Sequence, residues 1–283
     1  VIAAFGKLSG LIKELTGIVI DPEKKFIIES RLMPIARLHG FDSVATMIHV
    51  LMGESHPTLL AEVIDALATN ETFFFRDRAP FDLFGEYILP YLLRARADQR
   101  AVRIWCTACS TGQEPYSLAM TIDQFAPRLT GWRMMLQASD ISRKAIEAAR
   151  NGLYNQFEVQ RGMPASFLLR YFTREGENWR IAEHLRSKVA FSNFNLLNSF
   201  DDRGPCDVVF CRNVLIYFDQ QTRHDILARL SRVVRKDGFL ILGSTEALLG
   251  GEGGWVPAPS APMLYVHRDG PHAEAAVEFA ERA

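Results

Sequence analysis

Between residues 5 and 69 apolar positions recur every three to four residues, with Phe5, Leu8, Leu11, Ile12 and Leu15 on one stripe and Gly17 as a stop. A second helix is expected over 24–38 after Asp21-Pro22, bent at Pro34 and ended by Gly40. Asp42-Ser43 opens another over 44–52, and 58–67 carries a fourth. No strand-like run interrupts them, so residues 1–69 read as an all-helical domain.

From residue 101 the pattern changes to short β-rich runs at 102–106, 134–138, 189–192, 208–211, 239–242 and 263–267, with helical stretches at 114–125, 143–151 and 220–234. Such alternation implies an α/β fold whose mostly parallel sheet is covered on both faces. Only a Gly- and Pro-containing segment, 246–262, separates the last two strands, so the final strand is expected to enter antiparallel. Residues 152–187 break the alternation. They hold a helix-like 165–171 and two short strand candidates, 171–174 and 179–182, around the turn Glu175-Gly176-Glu177-Asn178, which reads as an inserted β-subdomain. The expected division is a helical domain at 1–69, a linker and first helix at 70–100, an α/β domain at 101–270 and a loosely attached Ala- and Glu-rich tail at 271–283.

A chain of 283 residues has room for one large domain or two smaller ones. With 48% hydrophobic and 23% charged residues and a net charge of −1, it has no overall attraction to nucleic acid or an anionic membrane. No apolar run approaches the roughly 20 residues that span a bilayer. No charged-then-apolar leader pattern opens the chain, which leads to the expectation of a cytoplasmic protein. Cys106-x-x-Cys109 has zinc-ligand spacing, but Cys106 and Cys211 fall in or at the end of apolar runs and Cys206-x4-Cys211 makes a poor second half. The four cysteines are therefore expected as small buried hydrophobes, with no metal.

Candidate chemistry gathers at strand ends. The run 104–117 breaks into small residues at Ser110-Thr111-Gly112 and restarts as a helix at Glu114-Pro115. In a parallel sheet this first strand-to-helix turn is where a ligand meets backbone. The turn is neither G-x-G-x-x-G nor G-K-[ST], and Glu114 would repel phosphate, so hydroxyls or a positive charge suit it better. Asp140 ends the second strand, where it either accepts ribose hydroxyls or caps the helix at 143. Asn195-Leu196 and Arg212-Asn213 follow the third and fourth strands, on the same edge of the sheet; an Asn there can pair with an adenine edge or an amino-acid moiety, or serve the turn. Tyr217 lies in an apolar segment and, if buried, needs a partner for its hydroxyl. Between the domains, 69–77 strings three Phe residues between Asn70, Thr72 and Arg76, and Arg76 is suited either to a ligand carboxylate or to a structural salt bridge.

Taken together, Asn70-Glu71-Thr72-Phe73-Phe74-Phe75-Arg76, the run 110–117, Ala138-Ser139-Asp140-Ile141, Asn195-Leu196 and 210–219 resemble the bacterial chemotaxis receptor glutamate methyltransferase family, CheR. The resemblance covers nearly the whole chain. It implies a Rossmann-like S-adenosylmethionine methyltransferase sheet with a small inserted antiparallel β-subdomain, preceded by an all-helical domain. It further implies S-adenosylmethionine as donor, S-adenosylhomocysteine as product and a glutamate in the cytoplasmic helical domain of a chemoreceptor as acceptor. By the same resemblance Asn70, Thr72, Arg76, Glu114, Asp140, Asn195, Leu196, Arg212 and Asn213 contact the cofactor, Tyr217 lies close to the transferring methyl, and Lys24, Lys25, Arg31 and Arg37 dock the receptor. Family members that tether to a receptor's C-terminal peptide use the β-subdomain; the short 175–178 turn leads to the expectation that this protein does without a tether. A nucleic-acid acceptor would call for Asn/Asp-Pro-Pro-aromatic after the fourth strand, where Arg212-Asn213-Val214 stands. A non-catalytic module that signals by binding the cofactor is the other alternative.

Overall fold

A computed structural model describes residues 2–53, 55–248, 251–258 and 261–273. The tail expected from 271 falls, from 274 onward, outside the described residues. Four helices open the chain: α1 (Ile2–Thr16), α2 (Lys25–Leu38), α3 (Val44–Gly53) and α4 (Pro57–Leu67). Their inward positions follow the helical period, with Leu8 and Ile12 on α1, Ile28, Leu32 and Ala36 on α2 and Leu59 and Val63 on α4 closing a separate core. Gly17 ends α1 with φ +77, a conformation natural to glycine. α2 runs unbroken past Pro34, whose exposed ring faces away from that core.

The seam then forms α5 (Ala79–Leu83) and α6 (Leu89–Ala95), joined by a π-helical turn. Beyond it come β1 (Ala101–Cys106), α7 (Gln113–Asp123), β2 (Arg133–Asp140) and α8 (Arg143–Asn151). The insertion holds β3 (Leu153–Asn155), α9 (Gln156–Gln160), α10 (Ala165–Tyr171), β4 (Phe172–Glu175), β5 (Asn178–Ile181) and α11 (Glu183–Arg186). The chain continues through β6 (Val189–Asn193), β7 (Cys206–Cys211), α12 (Gln220–Val233), β8 (Val234–Leu242), β9 (Trp255–Ala258) and β10 (Ala261–His267). Seven strands lie in the order β6-β2-β1-β7-β8-β10-β9. The first five are parallel, and β10 runs antiparallel to both β8 and β9. All six residues of the central β7 are buried, as expected of a strand covered on both faces.

Two expectations need correction. The segment between the last two expected strands, where the sequence shows no clear helix, holds a further strand that was not expected, β9. Its Pro257 suits an edge strand, the position β9 takes. The inserted sheet has three strands, not two, in the order β3-β5-β4; β3 was too short to register as a pattern. The β4–β5 hairpin turns through Gly176 and Glu177 alone, with Glu175 paired to Asn178.

Sheet order sets the site. From β1 the chain proceeds outward to β2 and β6, then returns to β7 on the other side of β1. The carboxyl ends of β1 and β7 therefore flank a topological switch point, where a ligand crevice opens in such sheets. Among the described residues no helix is long and apolar enough to cross a membrane.

Candidate functional site

At the switch point lies a cleft open to solvent, lined by Asn70, Thr72, Arg76, Glu114, Asp140, Arg212, Asn213 and Tyr217 among others. Asn195 and Leu196 line an adjoining, more apolar recess that shares Asp140, Ile141 and Tyr217 with it. The ten residues singled out by sequence at strand ends and seam thus meet at one edge of the sheet. Lys24, Lys25, Arg31 and Arg37 lie elsewhere, in or beside α2; Lys24, Arg31 and Arg37 are exposed and Lys25 is half-buried.

The turn after β1 is tightly built. Ala108 and Ser110 have φ +46 and +50, and Gly112, at φ +96, caps α7. A Cβ at Gly112 would lie 2.9 Å from that of Ala149, so the turn and α8 pack only because the side chain is absent. Strain of this kind at small residues is a mark of ligand-facing backbone. The Ser110 hydroxyl donates to the Asn70 carbonyl at 2.8 Å and the Phe75 N–H donates to the Ser117 hydroxyl at 2.9 Å, which seats the seam over the cleft.

Asp140 is buried, and its two oxygens accept the N–H groups of Ser110 at 2.8 Å and Ser142 at 2.9 Å. Burial pushes its carboxyl above the ordinary aspartate value, against the pull of these backbone donors. Asp140 is not the cap of α8: Ser142 takes that place, accepting the Ala145 N–H. Each Asp140 oxygen keeps acceptor capacity for a ligand hydroxyl.

Glu114 does not stand as an isolated anion. Its carboxylate accepts from Arg212 Nη1 at 2.8 Å, while Nη2 reaches Asp77 Oδ2 at 2.8 Å and the Arg76 carbonyl at 2.9 Å. Burial raises the Glu114 carboxyl, and Arg212 opposes the rise. Phe81 lies under the Arg212 guanidinium, 5.6 Å from Cζ to ring centroid. Arg212 Nε is buried and has no hydrogen-bond partner among the described residues. The Arg76 guanidinium donates to the Glu71 carbonyl at 2.9 Å and, among the described residues, makes no salt bridge.

Asn195 takes the turn role that its place after a strand also allowed. Its Nδ2 donates to the Leu15 carbonyl at 2.6 Å and its Oδ1 accepts the Leu197 N–H at 2.9 Å, so the side chain fastens the helical domain to the sheet. The backbone of 195–196 and the Leu196 side chain remain to meet a ligand. Sequence reasoning also missed Asp77 and Glu246. Asp77 had no signal beyond its place after Arg76. Glu246 follows Gly243 at the carboxyl end of β8, on the same edge as the others, and its carboxylate accepts four backbone N–H groups.

Cys106 and Cys109 are buried, and desolvation drives both thiols well above the usual range, so neither offers a thiolate. Among the described residues no cluster of His, Cys, Asp or Glu is arranged to hold a metal ion.

Residues 70–260 match the family model described as CheR methyltransferase, SAM binding domain, and residues 3–68 match CheR methyltransferase, all-alpha domain. The chain is 36% identical over 250 residues to chemotaxis protein methyltransferase Cher2 of Pseudomonas putida, covering 87% of this chain and 90% of that one. It is 38% identical over 241 residues to chemotaxis protein methyltransferase 1 of Pseudomonas aeruginosa, covering 84% and 87%. With the chemotaxis protein methyltransferase of Escherichia coli it shares 36% identity over 251 residues, covering 86% and 84%.

Proposed function

The chain belongs to the CheR methyltransferase family, and from that membership we propose a reaction resolved to single side chains: transfer of a methyl group from S-adenosylmethionine to glutamate carboxylates of a chemoreceptor. That it is an S-adenosylmethionine-dependent methyltransferase of chemoreceptors follows from the family; the glutamyl ester and the residue roles are our reading.

One observation carries the residue roles: acceptors, donors and apolar walls suited to this cofactor meet in one cleft. The donor set fits it. Asp140 accepts the ribose hydroxyls, Ile141 and Leu196 form apolar walls for the base, and Arg76 with the unpartnered Arg212 Nε suits the amino-acid carboxylate. S-adenosylmethionine, when bound, supplies a methyl group on a cationic sulfur, a strong electrophile.

The protein's contribution is orientation. A glutamate with a reference pKa of about 4.3 is already an anion at neutral pH, so no general base is required. Holding the acceptor oxygen in line with the methyl can supply roughly 7–11 kcal/mol. Water exclusion adds to this, because a desolvated carboxylate has no hydration shell to shed. Tyr217, on the loop after β7, borders both recesses and is assigned to the methyl end. Tyr217→Phe should lower kcat by less than about tenfold, since removing one hydrogen bond costs about 1 kcal/mol. Complete loss of turnover with S-adenosylhomocysteine binding intact would refute a purely positioning role.

Docking is assigned to α2. Lys24, just before the helix, and Arg31 and Arg37 within it are exposed, as is Phe26 at 82%, which leaves basic and apolar groups open to an acidic receptor helix. The two-residue β4–β5 turn supports independence from a receptor tether. Deleting a receptor's C-terminal peptide should leave the methylation rate within about twofold; a loss beyond tenfold would contradict this. The overall test is radiolabelled methyl transfer to receptor-bearing membranes, run beside calorimetry of cofactor binding. Transfer supports the enzyme, and tight binding with no transfer would favour a signalling module.

A further inference from the structure

Among the described residues four carboxylates are buried: Glu114 and Asp207 face arginines, whereas Asp140 and Glu246 accept backbone N–H groups instead, two for Asp140 and four for Glu246. Glu246 is 2% exposed, and among the described residues it makes no ion pair. Instead Oε2 accepts the N–H groups of Asn213 at 2.6 Å and Gly243 at 2.8 Å, and Oε1 accepts those of Val214 at 2.8 Å and Leu215 at 2.7 Å. Three consecutive amides of one loop converge on a single anion, a nest whose usual occupant is a bound anion and which here is filled by the chain itself.

This loop leads directly to Tyr217. Asn213 sits at φ +58, in the left-handed region that few residues other than glycine and asparagine adopt, and after Val214 the residues Leu215–Tyr217 form one 3₁₀ turn. Gly243 makes room for the clamp: a Cβ there would stand 2.6 Å from Glu246 Oε2 and 2.8 Å from Asn213 Nδ2. On its far side the loop is held by the helical domain, since the Val19 N–H donates to the Tyr217 carbonyl at 2.8 Å and Ile18 bridges Phe218.

We propose that Glu246 is a positioning residue for methyl transfer, fixing the loop that presents Asn213 and Tyr217 to the reacting end of the cleft. The proposal rests on the reading above that Tyr217 faces the methyl. Of the residues assigned to the cofactor only Asn213 is held directly by Glu246, while Asp140, Arg76, Glu114 and Leu196 lie outside this loop, so the clamp governs alignment more than cofactor affinity.

Glu246→Gln tests this in the full-length protein. The amide has the same shape, but its nitrogen cannot accept, so one pair of N–H groups loses its partner. The expected result is a kcat lowered about tenfold or more, with S-adenosylhomocysteine affinity and the KM for S-adenosylmethionine within about threefold. Gly243→Ala, which crowds the carboxylate without altering it, should give the same split. Leu230→Ala, a cavity variant in the α12 core, serves as the control for general loosening and should lower the melting temperature with kcat unchanged. The proposal is overturned if both clamp variants turn over within twofold of the parent, if their affinity falls in step with kcat, or if Leu230→Ala reproduces the split. Wild-type protein that gives no base-labile methyl product would overturn the underlying reading, and this proposal with it.

Discussion

Asp140→Ala lowers the affinity for S-adenosylhomocysteine about a hundredfold or more, the largest binding loss expected from a single side chain in this site. Two effects add. The carboxylate is the acceptor assigned to the ribose hydroxyls, and hydrogen bonds to a charged group are worth about 1.5–3 kcal/mol. It also joins the turns after β1 and β2 by accepting from Ser110 and Ser142, so its removal leaves two N–H groups without partners and loosens the backbone that meets the ligand. A hundredfold corresponds to about 2.7 kcal/mol, within reach of the first effect alone. Calorimetric titration of the folded variant checks it, with Asp140→Asn, which keeps one acceptor oxygen, falling between alanine and wild type. An Asp140→Ala affinity within about fivefold of wild type would remove Asp140 from the cofactor site.

Arg212→Met destabilises the protein by about 3 kcal/mol at pH 7, because it leaves Glu114 as an uncompensated buried charge beside Asp77. The pH dependence identifies the cause. Burial already raises the Glu114 carboxyl in the folded state, and loss of Arg212 removes the main opposing influence, so the variant's folded value climbs further. A carboxyl raised on folding stabilises the protein fully below its unfolded value, about 4.3, and that stability is lost as pH rises through the folded value. The gap between variant and wild type therefore narrows as pH is lowered from 7 toward 5. Urea unfolding across that range measures it, and adding Glu114→Gln to Arg212→Met recovers part of the loss. A deficit below about 1 kcal/mol, or one that does not vary with pH, would contradict the ion-pair account.

Much of the architecture was legible because periodicity is a local property. The stripes of α1 to α4 and the buried runs of β1, β2 and β7 each declare themselves within a few residues. β9 did not, since Pro257 and the preceding glycines look like a loop until β10 offers a strand to pair with. The site was legible in outline for a topological reason: a parallel sheet brings every strand's carboxyl end to one edge, so Gly112, Asp140, Asn195 and Arg212 had to be neighbours. Their partners were not legible. Arg212 meets Glu114 across 98 residues and Asn195 meets Leu15 across 180, distances over which no pattern in the chain carries information. The sequence left Asn195 open between a ligand and a turn, and its hold on the helical domain through Leu15 could not be read from it. Glu246 was passed over because a lone carboxylate after a strand looks like surface until the amides around it are seen.

The central claim is that this cleft esterifies a receptor glutamate, and alkali lability of the product tests it most directly. Receptor-bearing membranes incubated with the protein and methyl-labelled S-adenosylmethionine should take up label that mild base releases as volatile methanol, since a glutamyl methyl ester hydrolyses there while N- and S-methyl groups survive. Label retained through base treatment would place the methyl on another kind of atom and contradict the account.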